Sequence, residues 1–313
     1  MQGLELAERY WNEVGRPALA VACPEAAERW SAGLVGEGSD CFGFDDDISR
    51  DHDWGPGFCV WLDGPDYERF GARLQRAYDQ LPEAFLGLRR DVQPEGRGRV
   101  GVLRTEEFYA RFTGLPHPPQ TVGEWLSLDD EALAVCANGK LFEDRAPGFS
   151  AYRAELLRFY PRDILLKKLA AHCALAGQAG QYHYARCVQR GDAAAAFLAL
   201  ARFIEHGQAV CFMANRRYRP YFKWANRALR ELPIAGEEMA ARFERIASGQ
   251  VLDQRDAVEE ACAALVRALK AGRLCPEGVR PGDFLMDCGR EIQCAVHNDR
   301  LRSLPLLTLT VTM

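Results

Sequence analysis

Gly36-Glu37-Gly38-Ser39-Asp40-Cys41-Phe42-Gly43-Phe44-Asp45-Asp46-Asp47-Ile48-Ser49-Arg50-Asp51-His52-Asp53 holds six aspartates against one arginine. So many like charges repel one another unless cations or water answer them. A solvated acidic loop is the plain reading, and the order of the residues argues against it. The apolar run Ala32-Gly33-Leu34-Val35 leads in as a strand, and Phe58-Cys59-Val60-Trp61-Leu62 follows as a buried one. Gly38 lets backbone approach a phosphate, which the Ser39 amide and hydroxyl can then bind. After eleven intervening residues comes Asp51-x-Asp53. On an extended segment residues i and i+2 point to one side, so Asp51 and Asp53 would present two carboxylates to one point, a hard site suited to one or two Mg²⁺ ions. A calcium loop starting at Asp45 fails, because its glycine and glutamate positions fall on Arg50 and Pro56.

Outward from this stretch, Asp63-Gly64-Pro65-Asp66 reads as a turn with a helix N-cap. Tyr67, Phe70, Leu74, Ala77, Tyr78 and Leu81 recur at helical spacing. Leu4 to Val14 and Pro17 to Arg29 read as helices, and Val100-Gly101-Val102-Leu103 as a strand. Residues 1–150 therefore predict a mixed strand and helix domain. Beyond Ser150, Ala and Leu dominate, with helical faces at Ile164–Leu175, Ala193–Ile204, Met239–Ile246 and Val258–Leu269. Residues 151–313 predict an all-α helical bundle, giving an α+β chain. The end, Leu307 to Thr312, alternates like a short strand and reads equally as a frayed tail.

The chain has 313 residues and a formal charge of −5. That balance gives no sign of bulk nucleic-acid binding, though a local basic patch is compatible with it. No apolar run reaches the ~20 residues of a membrane span, so no membrane partner is expected. Glu5, Glu8, Arg9 and Glu13 stand where a signal peptide needs apolar residues. The eleven cysteines include no Cys-x-x-Cys pair, which predicts buried thiols in a cytoplasmic protein rather than disulfides or a zinc knuckle. His52 falls between the two aspartates and faces away from them.

Gly-Ser, the spacer and Asp-x-Asp together resemble the signature of the DNA polymerase beta nucleotidyltransferase superfamily, which includes kanamycin nucleotidyltransferase. The segments GLVGEGSDCFGFDDDISRDHDWGPGFCVWL, YPRDILLKKLAA, GQYHYARC and NRRYRPYFKWA resemble an uncharacterised bacterial family placed in that superfamily as a domain of unknown function. The resemblance implies a polymerase-beta-like domain followed by a helical domain, facing each other across a cleft. It implies Mg²⁺-dependent transfer of a nucleoside monophosphate from a nucleoside triphosphate, ATP by expectation, to a hydroxyl of a small-molecule, protein or RNA acceptor. Asp51 and Asp53 would be catalytic and metal-binding, and Gly38 and Ser39 would hold phosphates. The superfamily also supplies a third carboxylate from a later strand. The matching position here is Gly101, with Glu106 and Glu107 as alternatives that read better as the acidic first turn of a helix. A catalytically degenerate nucleotide-binding or regulatory protein on the same fold is the alternative function.

Asn215-Arg216-Arg217-Tyr218-Arg219-Pro220-Tyr221-Phe222-Lys223-Trp224 sets four cations among four aromatics. Such a patch can neutralise a triphosphate and stack on a base, with Arg216 and Lys223 the expected phosphate contacts; a helix corner is the competing reading. Lys167 and Lys168 could add to the phosphate contacts, with one or both reading more simply as coating a helix. Gln181-Tyr182-His183-Tyr184 reads as a break in the helical half that could line an acceptor pocket, with His183 itself more simply structural.

Overall fold

The computed structural model describes residues 1–50, 53–90, 93–96 and 98–311. Its chain divides into two compact units, residues 1–119 with 132–158, and residues 120–131 with 159–313. Mixed strand and helix in the first and helices in the second make the chain α+β.

The first unit opens with α1 (Gly3–Tyr10), which passes through a π-helical turn, Trp11–Gly15, into α2 (Arg16–Ala22). The helix stops at Ala22, short of the predicted Arg29, because Cys23 leaves helical geometry ahead of Pro24. Then come β1 (Ser31–Leu34), β2 (Cys59–Leu62), α3 (Gly64–Tyr78), the short hairpin β3 (Ala84–Phe85) and β4 (Leu88–Arg89), β5 (Gly101–Arg104) and α4 (Thr105–Thr113). The chain then passes through α5 (Val122–Ser127), which belongs to the second unit, and α6 (Asp130–Ala137), β6 (Lys140–Asp144) and α7 (Pro147–Leu157) complete the first.

Among the described residues the main sheet runs β5-β2-β1-β6. β1 lies antiparallel to β2 and β6, and β2 lies parallel to β5. The parallel pair needs a crossover, and α3 supplies it. β2 is buried along its whole length because both faces of the sheet are covered. Val60 and Leu62 join Trp11, Trp30, Phe58, Phe70 and Leu74 on one face. Trp61, alternating to the other face, stacks on Phe149 of α7 at 3.9 Å and meets Phe108 of α4 edge-on at 5.5 Å.

The second unit is built on α8 (Arg162–Gly177). The segment Gln178–Tyr184 does not interrupt it. The chain winds on as a π-helical stretch into α9 (Ala185–Gln189). Tyr184 is buried there, its hydroxyl accepting from the Gln254 amide at 2.7 Å and donating to the Val251 carbonyl at 2.5 Å. α10 (Ala193–Ala214), capped by Asp192, packs on α8, followed by α11 (Phe222–Arg230), α12 (Gly236–Ser248), α13 (Arg255–Ala271), α14 (Leu285–Cys294) and α15 (Asp299–Arg302).

Lys167 and Lys168 do not coat the helix: α8 is covered all round, and both are buried in it. Lys167 Nζ donates to Gln293 Oε1 at 3.1 Å and to the carbonyls of Pro305 and Leu306 at 3.0 and 2.9 Å. Lys168 Nζ donates to the carbonyls of Leu128 and Leu309 at 2.8 and 3.2 Å. The residues from Leu307 to Val311 form no strand; their backbone is irregular, and the lysines hold it. Among the described residues no helix is long and apolar enough to cross a membrane.

Candidate functional site

The site is built from the loop between β1 and β2. Its backbone is anchored first: the Asn138 side chain accepts from the Gly36 amide at 3.0 Å and donates to the Gly36 carbonyl at 2.8 Å. The Gly139 amide donates to the Cys41 carbonyl at 2.9 Å, and the Phe44 amide closes a turn on the Ser39 carbonyl at 2.8 Å. Gly38 sits at φ 126°, where only glycine is comfortable, and a Cβ there would meet the Asp40 carboxylate. The Ser39 side chain is part-exposed at the tip of this turn.

Most of the acidic residues are answered within the fold. Asp45 Oδ2 accepts from the Gly3 amide at the start of α1 at 2.8 Å and from the Trp54 indole at 3.0 Å. Asp46 caps a 3₁₀ turn through the Ile48 and Ser49 amides. Asp47 faces Arg50 at 3.3 Å. Asp40 is buried, and burial raises its pKa against the pull of Arg90, whose Nη2 lies 3.8 Å from Oδ2.

Asp51 and His52 lie outside the described residues. Asp53 is not on an extended segment: its φ is 53°, and β2 begins only at Cys59. The i, i+2 argument therefore does not apply at Asp53, because the chain turns there. Its side chain is buried; Oδ1 accepts from the Gln93 amide at 3.2 Å and Oδ2 faces Arg99 Nη1 at 3.4 Å. Arg90 donates to the Asp53 carbonyl at 2.6 Å. Arg99 also approaches Glu37 at 3.8 Å, and Arg111 reaches Glu37 at 2.6 Å. Arg90 and Arg99 thus tie the Glu37–Asp40 turn to Asp53, and one nitrogen of each, Arg90 Nη1 and Arg99 Nε, is buried without a hydrogen-bond partner. Sequence reading missed both arginines. A cavity of about 650 Å³ lies beside Arg90, lined also by Tyr10, Pro56, Tyr78, Arg89 and Val100.

Gly101 opens β5 beside Cys59 of β2, with φ 124°. Glu106 and Glu107 stand in the first turn of α4, as expected of acids there. Glu106 accepts from the Gly64 amide at the start of α3 at 3.0 Å. Among the described residues no group of three or more His, Cys, Asp or Glu is arranged to hold a metal ion.

Arg216 and Lys223 belong to the second unit and are exposed. Arg216 follows α10 at φ 52°; Lys223 lies in the first turn of α11, its ammonium 5.0 Å from the Trp224 ring. Arg219, from the same basic run, is buried instead. It pairs with Glu131 at 2.8 Å and Glu205 at 3.8 Å, while its Nη1 has no partner. Near it a polar cluster fills the interior of the unit. Asp130 accepts from the Tyr160 hydroxyl, and burial raises the Asp130 pKa against the pull of Lys168. His172 and His206 meet Nδ1 to Nδ1 at 3.2 Å. His206 and His183 both line a pocket of about 620 Å³ with Cys187, Arg202, Glu205 and Leu309. No local motif announces this cluster, because its members come from α6, α8, α10 and the non-helical segments at Tyr160 and Arg219.

Residues 125–225, about a third of the chain, match the family described as Domain of unknown function (DUF4037). The matched stretch contains Asp130, Tyr160, Lys167, Lys168, His172, His206 and Arg219, all of the second unit. No curated protein and no solved structure matches the chain.

Proposed function

We propose that this chain is a nucleotidyltransferase whose first unit is a polymerase-beta-like domain and whose helical unit holds the acceptor. A nucleoside triphosphate, ATP in the first instance, binds at the Gly38-Ser39 turn. The observation carrying this reading is the turn itself. A buried strand ends in a backbone that tolerates only glycine at 38, is clamped by Asn138, and presents Ser39 at its tip, with Asp53 joined to it through Arg90 and Arg99. Backbone amides of such a turn suit phosphate oxygens. The cavity beside Arg90 offers room for a nucleoside. In unit 2, Arg216 and Lys223 are exposed cations suited to phosphate.

In the transfer, the acceptor hydroxyl attacks the α-phosphorus, the bond to the bridging oxygen breaks, and pyrophosphate leaves. The Ser39 amide and hydroxyl hold the outer phosphates, and Asp51 and Asp53 are the carboxylates this reading places at the reacting end. Magnesium is the cofactor it implies. The described residues do not compose a magnesium site: of the two aspartates only Asp53 is among them, and it already faces Arg99.

Two observations favour the second reading, a nucleotide-binding protein that has lost catalysis. The strand position where the superfamily carries its third acid is Gly101, and its φ of 124° strains any side chain placed there. The Asp53 carboxylate is engaged by an arginine. Both readings require triphosphate binding. Calorimetry with ATP on wild type and on Gly38→Ala should show binding that the variant loses; equal affinity refutes both readings. Incubation with α-labelled ATP and a cell extract then separates them, since only the transferase moves label into an acceptor.

A further inference from the structure

The exposed corner from Arg216 to Lys223 carries more than phosphate-binding charge. Tyr221 is 49% and Phe222 67% exposed, an unusual outlay for two adjacent rings. They contact one another, with centroids 4.3 Å apart, and in the sequence they fall between Arg216-Arg217 and Lys223. All three cations are exposed, and none has a carboxylate partner among the described residues. Some cations of this unit are matched: Arg230 pairs with Glu237 and Glu244, and Arg242 with Glu238 and Glu260. The whole chain is acidic, at −5, so a cluster of unmatched cations is not a reflection of its composition.

We propose that this corner binds single-stranded RNA, with Tyr221 and Phe222 stacking on bases and Arg216, Arg217 and Lys223 taking backbone phosphates. Cations that follow a backbone and rings that accept any base are the two parts of a single-strand binding surface. A free triphosphate would use the cations and leave one ring idle. A membrane surface fits less well, because α11 has already buried its apolar residues Ala225 and Leu229 and keeps only the two rings for lipid. The binding stands on this surface alone. That the RNA is the acceptor of nucleotidyl transfer rests on the function proposed above.

Fluorescence anisotropy with a labelled single-stranded RNA of about 12 nucleotides tests it on the full chain. Wild type should bind, and affinity should fall as salt rises. Tyr221→Ala and Phe222→Ala should each weaken binding roughly tenfold, a stacking loss of about 1.4 kcal/mol. Arg216→Gln with Arg217→Gln and Lys223→Gln should weaken it and flatten the salt dependence. All these positions are exposed, and circular dichroism verifies that the variants fold. No binding by wild type at low salt, or ring variants that bind like wild type, overturns the proposal. So does sedimentation with phosphatidylserine vesicles in place of RNA binding. If RNA binds through the rings but α-labelled ATP transfers nothing to it, the surface stands and the transferase reading falls. If label moves to another acceptor while RNA does not bind, the reverse holds.

Discussion

Asn138 grips Gly36 from both directions, its side-chain oxygen accepting from the Gly36 amide at 3.0 Å and its nitrogen donating to the Gly36 carbonyl at 2.8 Å. Gly36 is buried, so neither backbone group has water to fall back on. Asn138→Ala should therefore destabilise the protein by about 2 kcal/mol, read as a melting temperature roughly 4–8 °C lower. Asn138→Asp keeps only the acceptor. It should also weaken triphosphate binding at the adjoining turn; unchanged melting and binding would show that the clamp is dispensable.

Arg99 and Asp53 form a second brace of the same loop. Arg99→Gln leaves a buried carboxylate with the Gln93 amide as its hydrogen-bond donor. The variant should lose stability by roughly 1–3 kcal/mol, and Asp53→Asn in the same chain should restore part of it. If Asp53 also serves a divalent ion, magnesium should raise the melting temperature of Arg99→Gln and leave Asp53→Asn with Arg99→Gln unmoved. Equal effects of magnesium on both would remove Asp53 from any metal site.

The two buried lysines make a prediction about the end of the chain. Five acceptors, three of them carbonyls of Pro305, Leu306 and Leu309, depend on Lys167 and Lys168. Hydrogen bonds to a charged donor contribute roughly 1.5–3 kcal/mol each. Lys167→Met or Lys168→Met should speed amide hydrogen exchange across residues 304–311 at least about tenfold, while the α13 amides stay protected. Exchange unchanged in the tail would mean that its packing, not the lysines, holds it.

What the sequence made legible follows from where its forces act. β1, β2, β5 and the helices α3, α8, α10, α12 and α13 show as apolar runs or helical periods because burial acts on neighbouring residues. The turn at Gly38-Ser39 was visible as a motif. Arg90 and Arg99 were not, since they reach Asp53 from 37 and 46 residues away and no local pattern links them. The same holds for Lys167, whose tail acceptors lie 138 and 139 residues on. A lysine is read as a surface residue until the fold supplies carbonyls for it. In the basic-aromatic run, charge alone could not separate Arg219, which turns inward to Glu131, from Arg216 and Lys223, which stay in water.

The His172–His206 pair predicts acid sensitivity. With Nδ1 facing Nδ1 at 3.2 Å, one ring donates and the other accepts, so the pair can be neutral or carry one charge but strains against carrying two. Burial, His206, Lys168 and Arg219 hold the His172 pKa well below its ordinary value of 6.5. Burial lowers His206 as well, with Arg219 and Arg202 adding to the shift and Glu205 opposing it. Both folded-state values lie below those of the unfolded chain. As pH falls through about 6.5 the unfolded chain takes up protons that the folded chain refuses, so this contribution is intact above that pH and is lost below it. Between pH 7.5 and 5.5 stability should fall, with the larger share from His172 and a smaller one from His206. His172→Gln should lower stability at neutral pH but flatten this part of the profile, and His206→Gln should do so less. Chemical denaturation at the two pH values measures both. A His172→Gln slope as steep as wild type would place the acid sensitivity outside this pair.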